Sequence, residues 1–136
     1  MLSKKTKYGI KALTFLAKQE VGVPVPIEMI SKSENISRKF LESILLSLRK
    51  NGFLGSKKGK SGGYYLLKSP EAIKMVDVMR ILEGPIAMVP CVSLNFYEKC
   101  SDCPDEAACA VHLLMIKVRD NTLEIFRNTS LADLTR

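Results

Sequence analysis

Residues 26–67 read PIEMISKSENISRKFLESILLSLRKNGFLGSKKGKSGGYYLL, and they determine the architecture of the chain. Pro26 suits the first turn of a short helix, and after a tight turn Ser37 is a good N-cap for a second helix. The apolar residues of this second helix recur at three- and four-residue steps, as Leu41, Ile44, Leu45 and Leu48. Asn51 and Gly52 then predict a left-handed stop. Two helices joined in this way are typical of a helix-turn-helix.

Two short apolar and aromatic runs follow, residues 53–56 and 64–67, on either side of a loop rich in Lys and Gly. This alternation predicts a β-hairpin. The loop carries Lys57, Lys58 and Lys60, and a cationic tip of this kind fits DNA phosphates or a narrow minor groove. A hairpin placed after a helix-turn-helix predicts a winged helix-turn-helix, whose second helix enters the major groove.

The flanking segments show helical periodicity as well. We predict a first helix over residues 4–19, a short helical turn at 69–71, and a helix over 76–82. Residues 91–103 lack periodicity and are predicted to form a loop. The longest helix is predicted over 104–127, because a proline followed by acidic residues favours a helix start.

This longest helix has two apolar stripes. One consists of Ala107, Val111, Leu114, Val118 and Ile125, and the other of Ala108, Leu113, Ile116 and Leu123. One stripe can cover the domain. The second favours a homodimer, because a second copy is the most economical partner for an apolar face in a small protein. The alternative is that the hairpin and the first helix cover both stripes.

The predicted fold class is therefore mainly α with a small β-hairpin. It comprises a winged helix-turn-helix domain and a long C-terminal dimerisation helix. We divide the chain into a DNA-binding domain (residues 1–84), a cysteine-rich loop (85–103) and a dimerisation helix with its tail (104–136).

Charge is divided unevenly along the 136 residues, which are 46% hydrophobic and carry a net charge of +7. Residues 1–68 hold 14 Lys and Arg against 4 Asp and Glu, a net charge of +10, whereas residues 69–136 have a net charge of −3. The first half thus predicts an anionic partner, with double-stranded DNA the leading candidate. On charge alone, a solvated basic face has similar weight.

Other classes of protein are disfavoured. No run approaches the ~20 apolar residues that a membrane helix needs. Because no apolar segment or cleavage site follows the basic residues 1–5, we expect a cytoplasmic protein. In a reducing compartment, the four cysteines are expected to be ligands or sensors rather than disulfides. No nucleophile–base pair and no paired carboxylates mark a cleft, so the sequence does not predict an enzyme.

Four residues at the start of the second helix of the pair can point outward, namely Ser37, Arg38, Lys39 and Glu42. This end of a helix-turn-helix reaches base edges. Arg38 and Lys39 suit phosphates or guanine, whereas a carboxylate is repelled by phosphate unless it accepts a hydrogen bond from cytosine N4. Glu42 is thus a candidate base reader, while its spacing alone favours a solvated residue balanced by Arg38 or Lys39.

The second half of the chain holds all four cysteines and the only histidine, in the pattern Cys91-x8-Cys100-x2-Cys103-x5-Cys109-x2-His112. Thiolates prefer iron–sulfur clusters, zinc or copper(I). Cys109 and His112 are three apart on a predicted helix and share a face. The pattern favours an iron–sulfur cluster. It leaves open a zinc site of Cys100, Cys103, Cys109 and His112, a metal-free redox pair of Cys100 and Cys103, and cysteines that are simply buried.

Four segments carry a family resemblance: ISRKFLE (residues 36–42), LRKNG (48–52), the wing SKKGKSGGY (56–64) and the opening KYG (7–9). Together they resemble the Rrf-type bacterial transcription regulators. The resemblance spans nearly the whole chain, including the cysteine loop and the long C-terminal helix. The Gly-Gly-Tyr wing after a helix-turn-helix is fairly specific, whereas members differ in the cysteine cluster.

The resemblance implies a cytoplasmic homodimer that binds a pseudo-palindromic operator, with long helices that cross between subunits. It also implies base contacts from Ser37, Lys39 and Glu42. Lys58 stands where the family usually has a wing arginine that reaches the minor groove, and lysine is a weaker reader there.

For the cofactor, the resemblance to cluster-binding members implies a [2Fe–2S] cluster held by Cys91, Cys103, Cys109 and His112. The loop is longer here and contains Cys100, the alternative ligand in place of Cys103 or His112. Some members take an acidic ligand from the first helix of the partner. Lys7 occupies that position and cannot ligate while protonated, so we expect an all-local ligand set.

The leading hypothesis is a DNA-binding transcription regulator that senses redox state, iron–sulfur status or a related signal through this cluster. One alternative is a zinc-binding or metal-free regulator controlled by thiols or by a protein partner. An alternative from a different class is an iron–sulfur redox carrier, which would need neither the basic half nor the wing. Because the cysteine loop lies between the wing-bearing domain and the long helix, a change in its ligation is expected to alter the spacing of the two helix-turn-helix units in the dimer.

Overall fold

The computed structural model describes residues 2–136; Met1, the first residue of the basic N-terminal segment, lies outside the described residues. Within them, the regular elements are α1 (Lys4–Ala17), α2 (Ile27–Glu34), α3 (Arg38–Lys50), β1 (Leu54–Lys57), β2 (Gly63–Leu66), α4 (Met75–Leu82) and α5 (Ala110–Asn128). Short 3-10 turns cover Pro70–Ala72, Pro90–Val92 and Ala132–Thr135. The prediction of a mainly α fold with a small hairpin is confirmed.

Local capping signals define the helix-turn-helix formed by α2 and α3. Asn35 ends α2 in a left-handed conformation (φ 53°), which asparagine tolerates better than most residues. The Ser37 side chain accepts a hydrogen bond from the Phe40 N–H and thereby caps α3. All four predicted apolar residues of α3 are fully buried, and they form the centre of the core with Leu13 and Ile30. The predicted left-handed stop is present at Gly52 (φ 83°).

The hairpin pairs β1 with β2 in antiparallel register, from Leu54 opposite Leu66 to Lys57 opposite Gly63. It is attached to the loop before α2 by a further pair of backbone hydrogen bonds. The Val25 N–H donates to the Tyr64 carbonyl (2.8 Å), and the Tyr64 N–H donates to the Val25 carbonyl (2.9 Å). These bonds place the wing directly beside the helix-turn-helix.

The C-terminal tail returns to the helical core. The Met75 N–H donates to the Thr129 carbonyl (2.9 Å), and the Leu131 N–H donates to the Ile73 carbonyl (2.8 Å). Leu131 is fully buried among the core residues. Both ends of the segment that carries the cysteines are thus anchored to the helical core, the first through α4 and the second through the residues after α5.

The predicted start of the longest helix is wrong by six residues, because α5 begins at Ala110. The Asp105 carboxylate accepts a hydrogen bond from the Ala107 N–H (3.1 Å), and the Glu106 carbonyl accepts one from the Cys109 N–H (3.1 Å). Aspartate side chains compete with helix formation by bonding nearby backbone groups in this way. The two alanines at the head of the predicted stripes therefore precede the helix.

Two further boundaries shift slightly: α1 ends at Ala17, where residues up to 19 were predicted, and α4 begins at Met75 instead of residue 76. Among residues 2–136, no helix has the length and apolar character to cross a membrane.

Candidate functional site

The N-terminal end of α3 presents its polar residues outward. Ser37, Arg38, Lys39 and Glu42 are all exposed, whereas Leu41 is fully buried. The Ser37 hydroxyl is engaged in capping, since it accepts from the Phe40 N–H at 3.3 Å. The predicted base-reading residues therefore lie together on one accessible surface.

Arg38 lies between two carboxylates on this surface. Its Nη1 donates to Oε1 of Glu28, in the first turn of α2, and its Nε donates to Oε1 of Glu42 at 3.2 Å. The structure thus pairs Glu42 with Arg38, one of the two partners that the sequence spacing suggested. The contribution of Glu28 was missed, because a contact between residues ten apart on two helices leaves no local sequence signal.

The wing tip exposes Lys57, Lys58 and Lys60 around Gly59, which has a φ of 105°. On β1, the Ser56 hydroxyl accepts a hydrogen bond from Arg49 Nη1 of α3 (2.9 Å). This bond fixes the C-terminal end of α3 against β1. Sequence analysis did not single out Arg49.

The four cysteines and His112 line one cavity of about 450 Å³ between the cysteine-rich loop and the start of α5. Cys91 is buried, and the other three cysteines are partly exposed. The fold therefore brings together all five predicted ligand residues, although Cys91 and His112 are 21 positions apart in the sequence.

His112 makes two contacts with thiol groups in this cavity. Its Nδ1 is 3.2 Å from Cys91 Sγ, and its backbone N–H donates to Cys109 Sγ at 3.5 Å. Cys109 is the N-cap of α5, so its thiol and His112 are placed on the same turn by capping rather than by helix spacing. Thiols and an imidazole are donors that suit an iron–sulfur cluster or zinc.

Two of the cavity thiols have raised pKa values. Desolvation and the neighbouring Cys100 thiol raise the pKa of Cys91, while desolvation and the nearby Cys109 raise the pKa of Cys103. As the side chains stand, residues 2–136 contain no group of three or more His, Cys, Asp or Glu residues arranged to hold a metal ion. The donor types fit a cluster, and binding one would require the loop thiols to be deprotonated and to converge further.

Two polar contacts hold the cysteine-rich loop, and sequence analysis missed both. The Tyr97 hydroxyl donates to the Glu106 carboxylate at 2.5 Å, and this bond raises the pKa of Tyr97 to about 12. Arg119 Nη1 of α5 donates to the Val92 carbonyl at 2.9 Å, next to Cys91. The only sequence signal for the first contact was that Tyr97 and Glu106 lie on either side of Cys100 and Cys103.

An exposed polar face at the start of α3, a basic wing and a thiol-lined cavity are the features of a winged helix-turn-helix DNA-binding protein with a second, sulfur-rich site. A family model described as "Rrf2: Iron-dependent Transcriptional regulator" matches residues 2–136. The chain therefore belongs to the Rrf2 family of transcriptional regulators, which bind DNA, act as dimers and are not enzymes.

Individual relatives agree with this membership. The chain is 39% identical over 137 residues to the HTH-type transcriptional regulator rrf2-like of Rhodobacter capsulatus, covering 98% of this chain and 91% of that protein. It is 34% identical over 133 residues to the transcriptional regulator CymR of Bacillus subtilis, covering 98% and 88%.

Solved structures of relatives have the same fold. CymR of B. subtilis, described as the global cysteine regulator, superposes with a TM-score of 0.81 at 33% identity, covering 99% of this chain and 95% of that chain. IscR of T. potens gives 0.77 at 28% identity, covering 98% and 85%. An oxidized form of CymR from Staphylococcus aureus gives 0.77 at 29% identity, covering 100% and 96%.

Proposed function

We propose that this regulator controls transcription in response to a [2Fe–2S] cluster bound in the cysteine cavity. One observation carries the proposal: four thiols and the only imidazole of the chain line the same cavity. A chance grouping of all five soft ligands is a poor explanation for residues spread over 22 positions of irregular loop and helix start. The proposal places the protein in the cytoplasm, where its DNA is.

The proposed ligands are Cys91, Cys103, Cys109 and His112, with Cys100 as the alternative to Cys103 or His112. The 3.2 Å contact between Cys91 and His112 supports including both in the set. When bound, the cluster supplies a group whose loss or oxidation reports iron or redox status. The residues of the chain hold it and fix the loop around it.

Hydrogen bonds at both ends of the cysteine-rich loop support an effect of cluster ligation on DNA binding. Upstream, the Glu83 carboxylate accepts hydrogen bonds from the Ser3 N–H (2.8 Å) and the Thr6 hydroxyl (3.2 Å), which joins the entry to the loop to the start of α1. Downstream, Arg119 joins the Cys91 turn to α5. We infer that a shift of the loop on ligation moves α1, which packs on α3, relative to the dimerisation helix.

The test begins with anaerobic purification of the full chain, a visible absorption spectrum, and analysis for iron, sulfide and zinc. The full-length protein then selects duplexes from a random-sequence pool, and affinity for a selected duplex is measured for cluster-loaded protein, apo protein and Cys103→Ala. We expect about two iron and two sulfide per chain, and a change in affinity of about tenfold on cluster loss.

The matched control is Lys99→Ala, which alters an exposed residue of the same loop that does not line the cavity. It should retain the cluster and the native affinity. Equal affinities for the loaded protein, the apo protein and Cys103→Ala would contradict the coupling. A nearly flat dependence on salt would contradict DNA binding, since log K should fall by about 0.9 for each phosphate contacted per tenfold rise in salt.

A second candidate is a metal-free regulator that responds to thiol oxidation. Its support is the presence of Cys91 and Cys100 on the same cavity, where Cys100 helps to raise the pKa of Cys91, together with the similarity to CymR. Two thiols would form one disulfide, while a hydroperoxide accepts the two electrons and two protons and is reduced to an alcohol and water. The influence of Cys100 on the pKa of Cys91 supports Cys91 and Cys100 as the proposed pair, in place of the pair Cys100 and Cys103 suggested by spacing.

The two candidates give different results with the same protein. Peptide mapping after treatment of the apo protein with a hydroperoxide should reveal a bond between Cys91 and Cys100 under the second candidate. The duplex affinity should then change on oxidation and recover with a thiol reductant. Stoichiometric zinc without sulfide in the anaerobic preparation would instead identify a zinc-binding regulator.

A further inference from the structure

The exposed surface formed by Ser37, Arg38, Lys39 and Glu42 contains an ion-pair bridge, which links both helices of the helix-turn-helix. Glu28 lies in the first turn of α2, and Arg38 and Glu42 lie one turn apart on α3. The Arg38 guanidinium uses Nη1 for Glu28 and Nε for Glu42, so one cation binds two carboxylates at the same time. All three side chains are more than half exposed, which places the bridge on the accessible surface.

We propose that Glu28 is a specificity-determining positioning residue, which withholds Arg38 from the DNA backbone and thereby orients the Glu42 carboxylate for a base. This inference rests on the proposed DNA-binding function and goes beyond it, because it assigns a role to a residue outside the recognition helix.

The charges of the bridge explain the withholding. A lone Arg38 beside Glu42 would form an exposed pair of the kind that contributes little, and a DNA phosphate could readily replace the carboxylate. A second carboxylate gives the bridge one negative charge in excess, so transfer of Arg38 to a phosphate would leave Glu28 and Glu42 uncompensated beside a polyanion. The second carboxylate thus makes that transfer less favourable.

The geometry of the bridge explains the orientation. Arg38 engages Oε1 of Glu42 through Nε, which leaves Oε2 as an acceptor for an exocyclic amine. The major-groove amine that a carboxylate reads is cytosine N4. A glutamate held by a fixed guanidinium loses less side-chain entropy on reaching that base than a free glutamate does, so its discrimination against other bases is larger.

The experiment compares the full-length native protein with Glu28→Gln on duplexes that the native protein selects from a random-sequence pool. In one series, each C·G pair of the selected duplex is replaced in turn by T·A, which removes the N4 donor. Glu42 reads the pair whose replacement lowers the affinity of the native protein but leaves the affinity of Glu42→Ala unchanged. At this pair we expect Glu28→Gln to reduce the native preference by about fivefold.

Glu28→Gln should also bind random-sequence duplex more tightly, because Arg38 becomes available for a phosphate. The slope of log K against log salt should steepen by about 0.9. Glu34→Gln is the matched control, since it removes one carboxylate from the other end of the same helix and should leave the base preference unchanged.

A double-mutant cycle separates positioning from charge. If Glu28 acts through Arg38, the effect of Glu28→Gln on base preference should vanish in an Arg38→Ala background. The proposal is overturned if Glu28→Gln and Glu34→Gln raise affinity equally on all duplexes, or if the effect persists without Arg38. Failure of the native protein to enrich any duplex would overturn the DNA-binding function itself, and this inference with it.

Discussion

At the scale of single residues, Gly63 shows why a glycine stands directly before Tyr64 at the end of the wing. Its φ is 153°, and a Cβ at this position would lie 2.1 Å from the Val25 carbonyl oxygen. That oxygen accepts the Tyr64 N–H, so the two backbone segments must approach without a side chain between them. The second glycine of the Gly-Gly-Tyr motif is thus explained by a close backbone approach that attaches the wing to the loop before α2.

Gly63→Ala should therefore lower the free energy of unfolding by about 3 kcal/mol, through backbone strain and the loss of the hydrogen bonds between Val25 and Tyr64. Gly59→Ala is the matched comparison, because Gly59 also has a positive φ but no atom lies within 4 Å of its added Cβ. This variant should lose only about 1 kcal/mol. Urea unfolding of both variants measures the difference, and equal losses would show that the close approach is unimportant.

Residue-level features were predicted from the sequence wherever the signal is local. The Ser37 cap and the stripe that includes Leu41 and Ile44 were identified because capping and helical periodicity act within a few residues. The bond between Glu28 and Arg38 was not identified, because it depends on the angle between α2 and α3. That angle depends on how the two helices pack on the shared core, which the sequence pattern does not encode directly.

At the scale of elements, α1 and α4 are joined at one end by the Glu83 carboxylate. Burial alone would raise the pKa of Glu83, but hydrogen bonds from Ser3 and Thr6 outweigh it and lower the pKa below its ordinary value. The acceptor is 80 positions from Ser3, and Thr6 is fully buried. The tie therefore stabilises the folded state most when Glu83 is ionised.

The sign of the pH dependence follows from this lowered pKa. The contribution of Glu83 is fully present above the pKa of the unfolded chain, near 4.5, and is lost as the pH falls through the lower folded-state value. Native protein should thus be more stable than Glu83→Gln at pH 7, and the difference should shrink below about pH 4.5. Denaturant unfolding across this range measures it, with Glu71→Gln as the control for removing an exposed carboxylate.

A difference that is independent of pH would contradict the role of the ionised carboxylate. The same variant also tests the proposed path from the cysteine loop to α1. In the native protein, cluster loss is expected to change the affinity for the selected duplex. If the Glu83 hydrogen bonds transmit this effect to α1, the change should be smaller in Glu83→Gln.

Element boundaries show where sequence patterns reach their limit. The proline and acidic residues at 104–106 are helix-start signals, yet they form turns, because the Asp105 carboxylate takes the Ala107 N–H. The Cys109 thiol caps α5 instead, and cysteine is not among the residues expected at that position. The return of the tail through Leu131 to the core also left no signal, since its apolar run is too short for periodicity.

At the scale of the whole molecule, the basic half and the apolar face of α5 suit different partners. The predicted DNA-contacting residues lie in the portion with a net charge of +10, and the exposed apolar side chains of α5 lie in the portion with a net charge of −3. Leu114 is 55% exposed and Ile125 is 65% exposed, three turns apart on one side of the helix, whereas Leu123 is buried against the core. The family acts as dimers, and we propose this face as the one that meets the second copy.

The double variant Leu114→Glu with Ile125→Glu should weaken dimerisation by about 100-fold, because two apolar contacts are lost and like charges meet across the interface. Sedimentation velocity over a range of concentrations measures the monomer–dimer equilibrium. Val21→Glu is the control, since Val21 is 94% exposed in the loop between α1 and α2 and should not affect assembly. Both positions on α5 are exposed in the single chain, so the variant should keep its native fold, while its affinity for a two-half-site duplex should fall together with the dimer. A double variant that still sediments as a dimer at micromolar concentration would place the interface on another surface.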